Sequence, residues 1–396
     1  MTFFKITFWA AILIVLYAYL GYGILLFILV KLKRLISGKK TLFSPDFEPA
    51  VTFIVAAYNE ENWIEDKIRN CLAFDYPKEK IAFWFVTDGS NDRTPDLVIN
   101  FKTPEGTTLR LFHQPERKGK IAAVERIMPE VKTPVTIYTD ANTVVNREAI
   151  RNIVRHYANP KIGGVAGEKR IALGKTGDAT GAGEGIYWRY ESKLKAWDSE
   201  LYSVVGAAGE LFSIRTELYE HVEQDTVIED FVMTMRIVQK GYKVVYEPNA
   251  YAAESQSASI QEELKRKIRI AAGALQALWR LRALLNIFVY GIFSFQYISH
   301  RVLRWTVAPL SLPLIFFINI YLASLGQPLY QLLLGGQILF YLFAWLGYIF
   351  ETRHLKIKAF FVPYYFCVMN YAMYRGLFRL MAGKQSVVWE KAKRAG

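Results

Sequence analysis

The sequence predicts an α/β domain, a mostly parallel sheet with helices on both faces, joined to α-helical segments that span or lie on a membrane. Three observations carry this expectation. Short runs rich in β-branched and aromatic residues alternate with helical patterns from Val51 onward. Ile6–Val30 and Trp305–Phe350 each contain no charged residue, which is enough apolar chain for spanning helices. Between these regions, Ile260 to Leu285 has apolar residues at helical spacing and a strongly basic remainder, the pattern of a helix lying at a membrane interface.

Bulk composition narrows the function classes. The chain has 396 residues, 52% of them hydrophobic, a net charge of +13 and a mean hydropathy of +0.13. That length accommodates one large soluble domain plus membrane segments. The basic residues sit beside apolar runs, so they suit an anionic inner leaflet and argue against nucleic acid as the partner. The two cysteines, Cys71 in the soluble part and Cys367 in an apolar run, do not suggest a disulfide framework or a metal cluster. No histidine pair has the spacing of a zinc site.

The elements follow in order. Ile6–Val30 reads as one spanning helix, and the basic flank at Lys31, Lys33, Arg34, Lys39 and Lys40 places the next domain in the cytoplasm. Ser44 to Pro49 is a linker. Val51–Tyr58 is a strand and Glu60–Phe74 a helix with Ile64, Ile68 and Leu72 on one face. Ile81–Thr87 is the next strand, after which Thr94 caps a helix with Pro95 at its first position. Leu109–Phe112 is a third strand, a helix starts near Lys120, and Val135–Thr139 is a short buried strand. The run GGVAGEKRIAL gives a fifth strand. Gly181–Gly185 is expected to be a loop, Ile186–Leu201 a helix, GAAGE (206–210) a tight loop and LFSIR a strand. Glu229 and Asp230 open a helix that runs to Lys240 and ends at Gly241; Lys243–Tyr246 is the last strand.

Beyond the amphipathic stretch, Gly326 and Pro328 mark a turn between two spanning helices. Ala359–Tyr374 is short for a span, contains Pro363, and reads as a re-entrant or interfacial helix before the basic tail Lys384–Arg394. The expected organisation is therefore a membrane helix at 1–34, a cytoplasmic α/β domain at 45–257, interfacial helices at 258–302, transmembrane or re-entrant helices at 303–382 and a basic tail at 383–396.

Four carboxylate-bearing stretches carry the candidate chemistry. They are Tyr58-Asn59-Glu60, Asp88 to Asp92, Asp140 to Thr143, and Glu229-Asp230. The first three each follow a predicted strand, so a parallel sheet would bring them to one edge, where open α/β sheets bind ligands. Asp140 and Asn142, a carboxylate and an amide one residue apart, suit a hard divalent ion that also carries substrate phosphates; the same residue types also simply begin turns. Tyr58 could stack on a base, and Gly89 allows close backbone approach. Asp230 is either a reactive acid or an ordinary acidic residue favoured at a helix N-terminus.

With these motifs in order, the chain resembles membrane-bound family 2 glycosyltransferases of the Rossmann-like GT-A fold, whose relatives include synthases of poly-N-acetylglucosamine, chitin, hyaluronan and cellulose. AAYNEE, FVTDGSNDRT, TDANT, GELFSIR, IEDF, KRKIR and GKQSVVWEKAKR carry the resemblance, from about Val51 to the C-terminus. It implies a nucleotide site at Ala57, Tyr58, Glu60, Asp88, Lys120 and Asp140. It further implies Mg²⁺ or Mn²⁺ at Asp140 and Asn142, acceptor contacts at Gly209 and Glu210, and Asp230 as catalytic base beside Glu229. The expected activity is inverting transfer from a UDP-sugar, UDP-N-acetylglucosamine first, to a growing glycan or a lipid-linked acceptor at the inner face of a plasma membrane. A non-catalytic membrane scaffold is the alternative of another class. Two positions depart from the family pattern. Asn142 stands where a second Asp is usual, and the Gln-x-x-Arg-Trp motif is replaced by Lys265-Arg266-Lys267-Ile268-Arg269. Arg269, with Arg266 second, is the residue expected to face the diphosphate. Arg301-Val302-Leu303-Arg304-Trp305 is closer in letters, but it lies where a span begins and suits a snorkelling anchor.

Overall fold

The structure is a computed structural model and describes residues 1–38, 47–172, 179–255, 260–353 and 357–383. The predicted basic tail at Lys384–Arg394 and the linker's start at Ser44 lie outside these residues. The described residues fall into two compact units, one from 30–172 and 191–255, the other from 1–29, 179–190 and 260–383.

The first unit is built on an eight-stranded sheet: β1 (Val51–Ala57), β2 (Ile81–Asp88), β3 (Thr108–Gln114), β4 (Val135–Asp140), β5 (Thr143–Val145), β6 (Ile162–Ala172), β7 (Leu211–Arg215) and β8 (Lys243–Ser255). The order is β3-β2-β1-β4-β7-β6-β8-β5. β3, β2, β1 and β4 run parallel, as the strand–helix alternation predicts, and β1 and β4 are buried along nearly their whole length. The other half mixes directions: β7 is antiparallel to β4 and to β6, while β6 and β8 are parallel.

This topology places the site. The chain leaves β1 toward β2 on one side and reaches β4 on the other, so the carboxyl ends of β1 and β4 flank a switch point. Register aligns Ala57 with Thr87 and Ala56 with Asp140, which brings the three strand-end motifs to one edge. The antiparallel β7 pairs Leu211 with Thr139, so the GAAGE loop enters the sheet where β4 ends. Beneath lies a core of Val51, Phe53, Val55, Ile64, Ile68, Phe83, Phe85, Ile137, Ile153 and Val165. At roughly 1.5–3 kcal/mol per fully buried large apolar side chain, this layer supplies the main support of the sheet edge.

Most elements stand where the residue patterns place them, with these differences: the helix expected over Glu60–Phe74 runs from Ile64 to Leu72. Gly181–Gly185 lies within the helix Ala179–Leu201, not in a loop; a helical glycine costs about 1 kcal/mol relative to alanine, which penalises a helix without forbidding it. Thr94 does not cap its helix. Its hydroxyl accepts from the Glu60 N–H at 2.8 Å, and Asp92 accepts from the Thr94 N–H at 3.0 Å instead. The last strand extends to Ser255, and the short β5 was not evident, because three residues leave no alternation to read.

In the second unit the chain is helical from Thr2, with a π-helical turn at Tyr17–Gly21. Val307–Ser324 and Pro328–Thr352 are joined by a tight turn at Gly326. These two helices and Thr2–Ile36 are long and apolar enough to cross a membrane. Phe8 and Ala11 pack with Ile315, Ile318, Leu322 and Tyr330. Lys358–Met381 is one helix of 24 residues with Pro363 inside its beginning. Ile260–Arg280 is helical, as its periodicity predicts.

Candidate active site

The cleft at the switch point is lined by Ala56, Ala57, Tyr58, Glu60, Val86, Asp88, Arg117, Gly119, Lys120, Ala123, Asp140, Ala141 and Asn142. Every residue expected at the nucleotide site is in this lining, and so are both expected metal ligands.

Two strand-end loops form one wall by holding each other. Asn59 sits at φ +52°, a left-handed conformation that Asn tolerates better than most residues. Its side chain donates to Asn91 Oδ1 at 2.7 Å and accepts from the Asn91 N–H at 3.0 Å. Asp92 accepts from the Glu61 N–H at 3.1 Å. The sequence DGSND thus works as a brace for YNE as much as a turn of its own.

Asp88 fixes the opposite wall. Its carboxylate accepts from the backbone N–H groups of Lys118 (3.0 Å) and Gly119 (2.6 Å), pinning the loop that delivers Lys120. Charge-assisted bonds of this kind are about twice as strong as neutral ones. Gly89 makes the approach possible: it has φ +68°, and a Cβ there would lie 2.5 Å from the Cβ of Arg117. The Arg117 guanidinium lies 3.6 Å from the centroid of the Tyr58 ring. Arg117 was not anticipated, although it belongs to the basic run RKGK.

Lys120 is the hub of the floor. Its ammonium contacts Asp140 Oδ1 and Glu229 Oε1, each at 2.8 Å. Burial works against the charge, but Asp140 and Glu229 outweigh it and hold the lysine above its ordinary range. Asp140 is itself pushed up by burial, with Lys120 pulling the other way and Glu210 adding to the rise. Asp230, the neighbour of Glu229 at the start of the helix Glu229–Gln239, is pushed up to about 7 by burial and by the charge of Glu229. A Cβ on Gly209 would lie 3.6 Å from Lys120 Nζ and 3.7 Å from Asp230 Oδ2, so this glycine leaves an open face over both. Glu210 is held by the buried Lys169, which also contacts Glu254 Oε2 at 2.7 Å. Lys169 and Glu254 had no signal in the sequence, because β6 and β8 meet only in three dimensions.

The donor set tests the fit of a divalent ion. Asn142 Oδ1 is buried and accepts no hydrogen bond. A buried amide oxygen without a donor costs free energy unless a ligand fills it. Among the described residues no group of three or more His, Cys, Asp or Glu is arranged to hold a metal. Asp140 and Asn142 therefore match an ion such as Mg²⁺ or Mn²⁺ that takes one or two protein ligands and draws the rest from phosphates and water.

Arg266 and Arg269 belong to the second unit, on the helix Ile260–Arg280, where Arg266 pairs with Glu263 at 2.8 Å and Lys267 with the same carboxylate at 3.3 Å.

Comparison with known proteins agrees with this geometry. Residues 52–223 match the family described as glycosyl transferase family 2. Poly-beta-1,6-N-acetyl-D-glucosamine synthase of Staphylococcus aureus (strain MSSA476) is 25% identical over 256 residues, covering 61% of this chain and 59% of that protein. The synthase of the same name from Staphylococcus epidermidis is 23% identical over 243 residues, covering 58% and 56%. The chain thus spans less than two thirds of the length of these curated relatives. Among solved structures, the mannosyltransferase PcManGT from Pyrobaculum calidifontis, in complex with GDP-Man and Mn²⁺, superposes with a TM-score of 0.71 at 20% identity, covering 96% of this chain and 99% of that one. Residues 52–223 thus carry a match to glycosyl transferase family 2, on a mixed, mostly parallel sheet of the GT-A fold.

Proposed function

We propose that this chain transfers a sugar from a nucleotide-sugar donor to a glycan acceptor at a membrane, inverting the anomeric carbon. The observation that carries the reading is the Lys120 bridge, which puts the phosphate-side carboxylate Asp140 and Glu229, the neighbour of Asp230, on one cation. The base and ribose of the donor occupy the cleft between Tyr58, Glu60 and Asp88, and the diphosphate lies toward Lys120, Asp140 and Asn142. A divalent ion bound there supplies Lewis-acid neutralisation of the leaving diphosphate.

The chain's own residues do the rest. Lys120 places a second positive charge where the leaving oxygen gains negative charge. Asp230 takes the proton of the acceptor hydroxyl as its oxygen bonds to the anomeric carbon, and the carbon–oxygen bond to the diphosphate breaks with its electron pair leaving on the nucleotide. One displacement turns an α-linked donor into a β-linked product. Gly209 keeps space for the acceptor next to Asp230.

The names of the staphylococcal relatives favour UDP-N-acetylglucosamine as donor and a growing glycan as acceptor. The cytoplasmic placement of the domain follows from Lys31, Lys33 and Arg34 after the first apolar helix. A donor screen with purified protein, Mg²⁺ or Mn²⁺, and UDP- and GDP-sugars tests the reading. The expected result is release of UDP from UDP-N-acetylglucosamine and a β-linked oligomer by mass and anomeric analysis. The second reading, one sugar added to a lipid carrier, draws on the run Lys265-Arg266-Lys267-Ile268-Arg269 standing where the polymerase pattern has Gln-x-x-Arg-Trp. It predicts single additions only. Failure to turn over any nucleotide sugar contradicts both and favours the scaffold alternative.

A further inference from the structure

One buried charge in the first unit has no part in the scheme above. Lys67, on the helix Ile64–Leu72, is 2% exposed and occupies the apolar stripe formed by Ile64, Ile68 and Cys71. A lysine is rarely so deeply buried, and an ammonium there must be hydrogen-bonded to persist. Its Nζ donates to Thr139 Oγ1 at 3.2 Å, to Thr143 O at 2.9 Å and to Thr143 Oγ1 at 3.1 Å. Three protons meet three acceptors, so the donors of a charged lysine are all used.

The acceptors identify the purpose. Thr139 and Thr143 bracket Asp140, Ala141 and Asn142, the turn from β4 to β5. With Lys67 supplying its own protons, the threonine hydroxyls keep theirs for the backbone. Thr139 Oγ1 donates to Glu210 O at 2.7 Å, and Thr143 Oγ1 donates to Asp140 O at 2.9 Å. One ammonium thereby fixes the back of the turn, and through Thr139 the end of the 206–210 loop at Glu210. Burial lowers the lysine to about 8, which is still above neutral pH and leaves the three-donor form dominant there.

We infer that Lys67 is a positioning residue that holds the Asp140–Asn142 oxygen pair in the geometry that receives a divalent ion and a diphosphate. The inference rests on the reading of that pair proposed above. Lys67 touches neither ligand; it acts through Thr139 and Thr143. The nucleoside half of the cleft, at Tyr58, Glu60 and Asp88, is held by the separate brace of Asn59, Asn91, Asp92 and Thr94 and does not depend on it.

That separation gives the test. Full-length protein in detergent is titrated with UDP, and with GDP in parallel, in the absence and presence of Mn²⁺, and Mn²⁺ binding is followed by electron paramagnetic resonance. For Lys67→Met, Mn²⁺ affinity in the presence of nucleotide falls on the order of tenfold or more, the usual loss when an outer-shell partner of a metal site is removed. Affinity for metal-free nucleotide stays within about twofold, because the nucleoside brace is untouched. Lys67→Arg, which keeps a charged donor, recovers part of the Mn²⁺ affinity. Thr143→Val, which leaves the lysine in place but removes one of its acceptors, weakens Mn²⁺ in the same direction and decides the matter if Lys67→Met does not fold. Equal Mn²⁺ affinity in wild type and in a folded Lys67 or Thr143 variant overturns the inference alone, as does a parallel loss of metal-free nucleotide binding. Wild-type protein that binds nucleotide with no enhancement by Mn²⁺ overturns both the inference and the metal-assisted reading on which it rests.

Discussion

Asp230 is the residue at which the proposed reaction is most exposed to test. Its carboxyl is raised to about 7, first by burial and then by Glu229, with Lys120 opposing. Only the ionised form accepts a proton, so transfer is predicted to rise with pH through 7. The rate at pH 6 should be roughly one tenth of that at pH 8, as expected for one essential base. The linkage runs the other way for stability. The folded state holds this proton more tightly than the unfolded state, so Asp230 contributes less to stability as pH climbs from about 4 to about 7. Asn142 is the second residue to test. Asn142→Asp adds a charge to the oxygen pair, and the Mn²⁺ concentration for half-maximal activity should drop by on the order of tenfold, since ligand charge sets affinity at such sites. An unchanged metal dependence would mean that the amide already serves as well as a carboxylate.

The cleft is shaped by loops pinned at strand ends. Gly89 is predicted to be intolerant. Gly89→Ala imposes a Cβ at φ +68° and 2.5 Å from Arg117 Cβ. The strain costs about 1–3 kcal/mol, or loosens the loop that carries Lys120. A lowered Tm together with weaker nucleotide binding would report it; a variant indistinguishable from wild type in both would show that the loop is not held there. This level was largely legible in the sequence. β1, β2 and β4 announce themselves by β-branched and aromatic runs, and their ends by Asn59, Asp88 and Asp140. What was not legible depends on tertiary pairing. The antiparallel entry of β7, the three residues of β5 and the Lys169–Glu210–Glu254 contact join segments far apart in sequence, with no local pattern to reveal them. Lys67 was in plain view on an apolar helical face, a position where a lysine needs a reason.

For the whole molecule, three helices have the length and composition of membrane spans, and their apolar side chains are widely exposed: Leu13, Leu20 and Ile24 in the first, Phe317 in the second and Leu332 and Trp345 in the third. Patches of that extent are not maintained in water. The protein is therefore predicted to remain in the membrane fraction through high-salt and alkaline washes, because salt screens charge but leaves apolar burial intact. With the domain on the cytoplasmic side, protease added to inside-out vesicles should cut it, and protease added to right-side-out vesicles should not. Cleavage in the second preparation would reverse the proposed orientation and leave the chemistry of the cleft unaffected.

The proposed base for transfer from a nucleotide sugar is the Asp230 carboxylate, whose neighbour Glu229 shares Lys120 with Asp140. Asp230→Asn tests it most directly, as it keeps the shape of the side chain and removes its basicity. Nucleotide release from UDP-N-acetylglucosamine should be measured with acceptor and Mn²⁺ at pH 8, beside the affinity for UDP. The expected rate is lower by about 100-fold to 10,000-fold, the usual contribution of a general base, with UDP affinity within about threefold of wild type because Asp230 lies outside the nucleoside cleft. A variant that transfers at the wild-type rate would rule out Asp230 as the base.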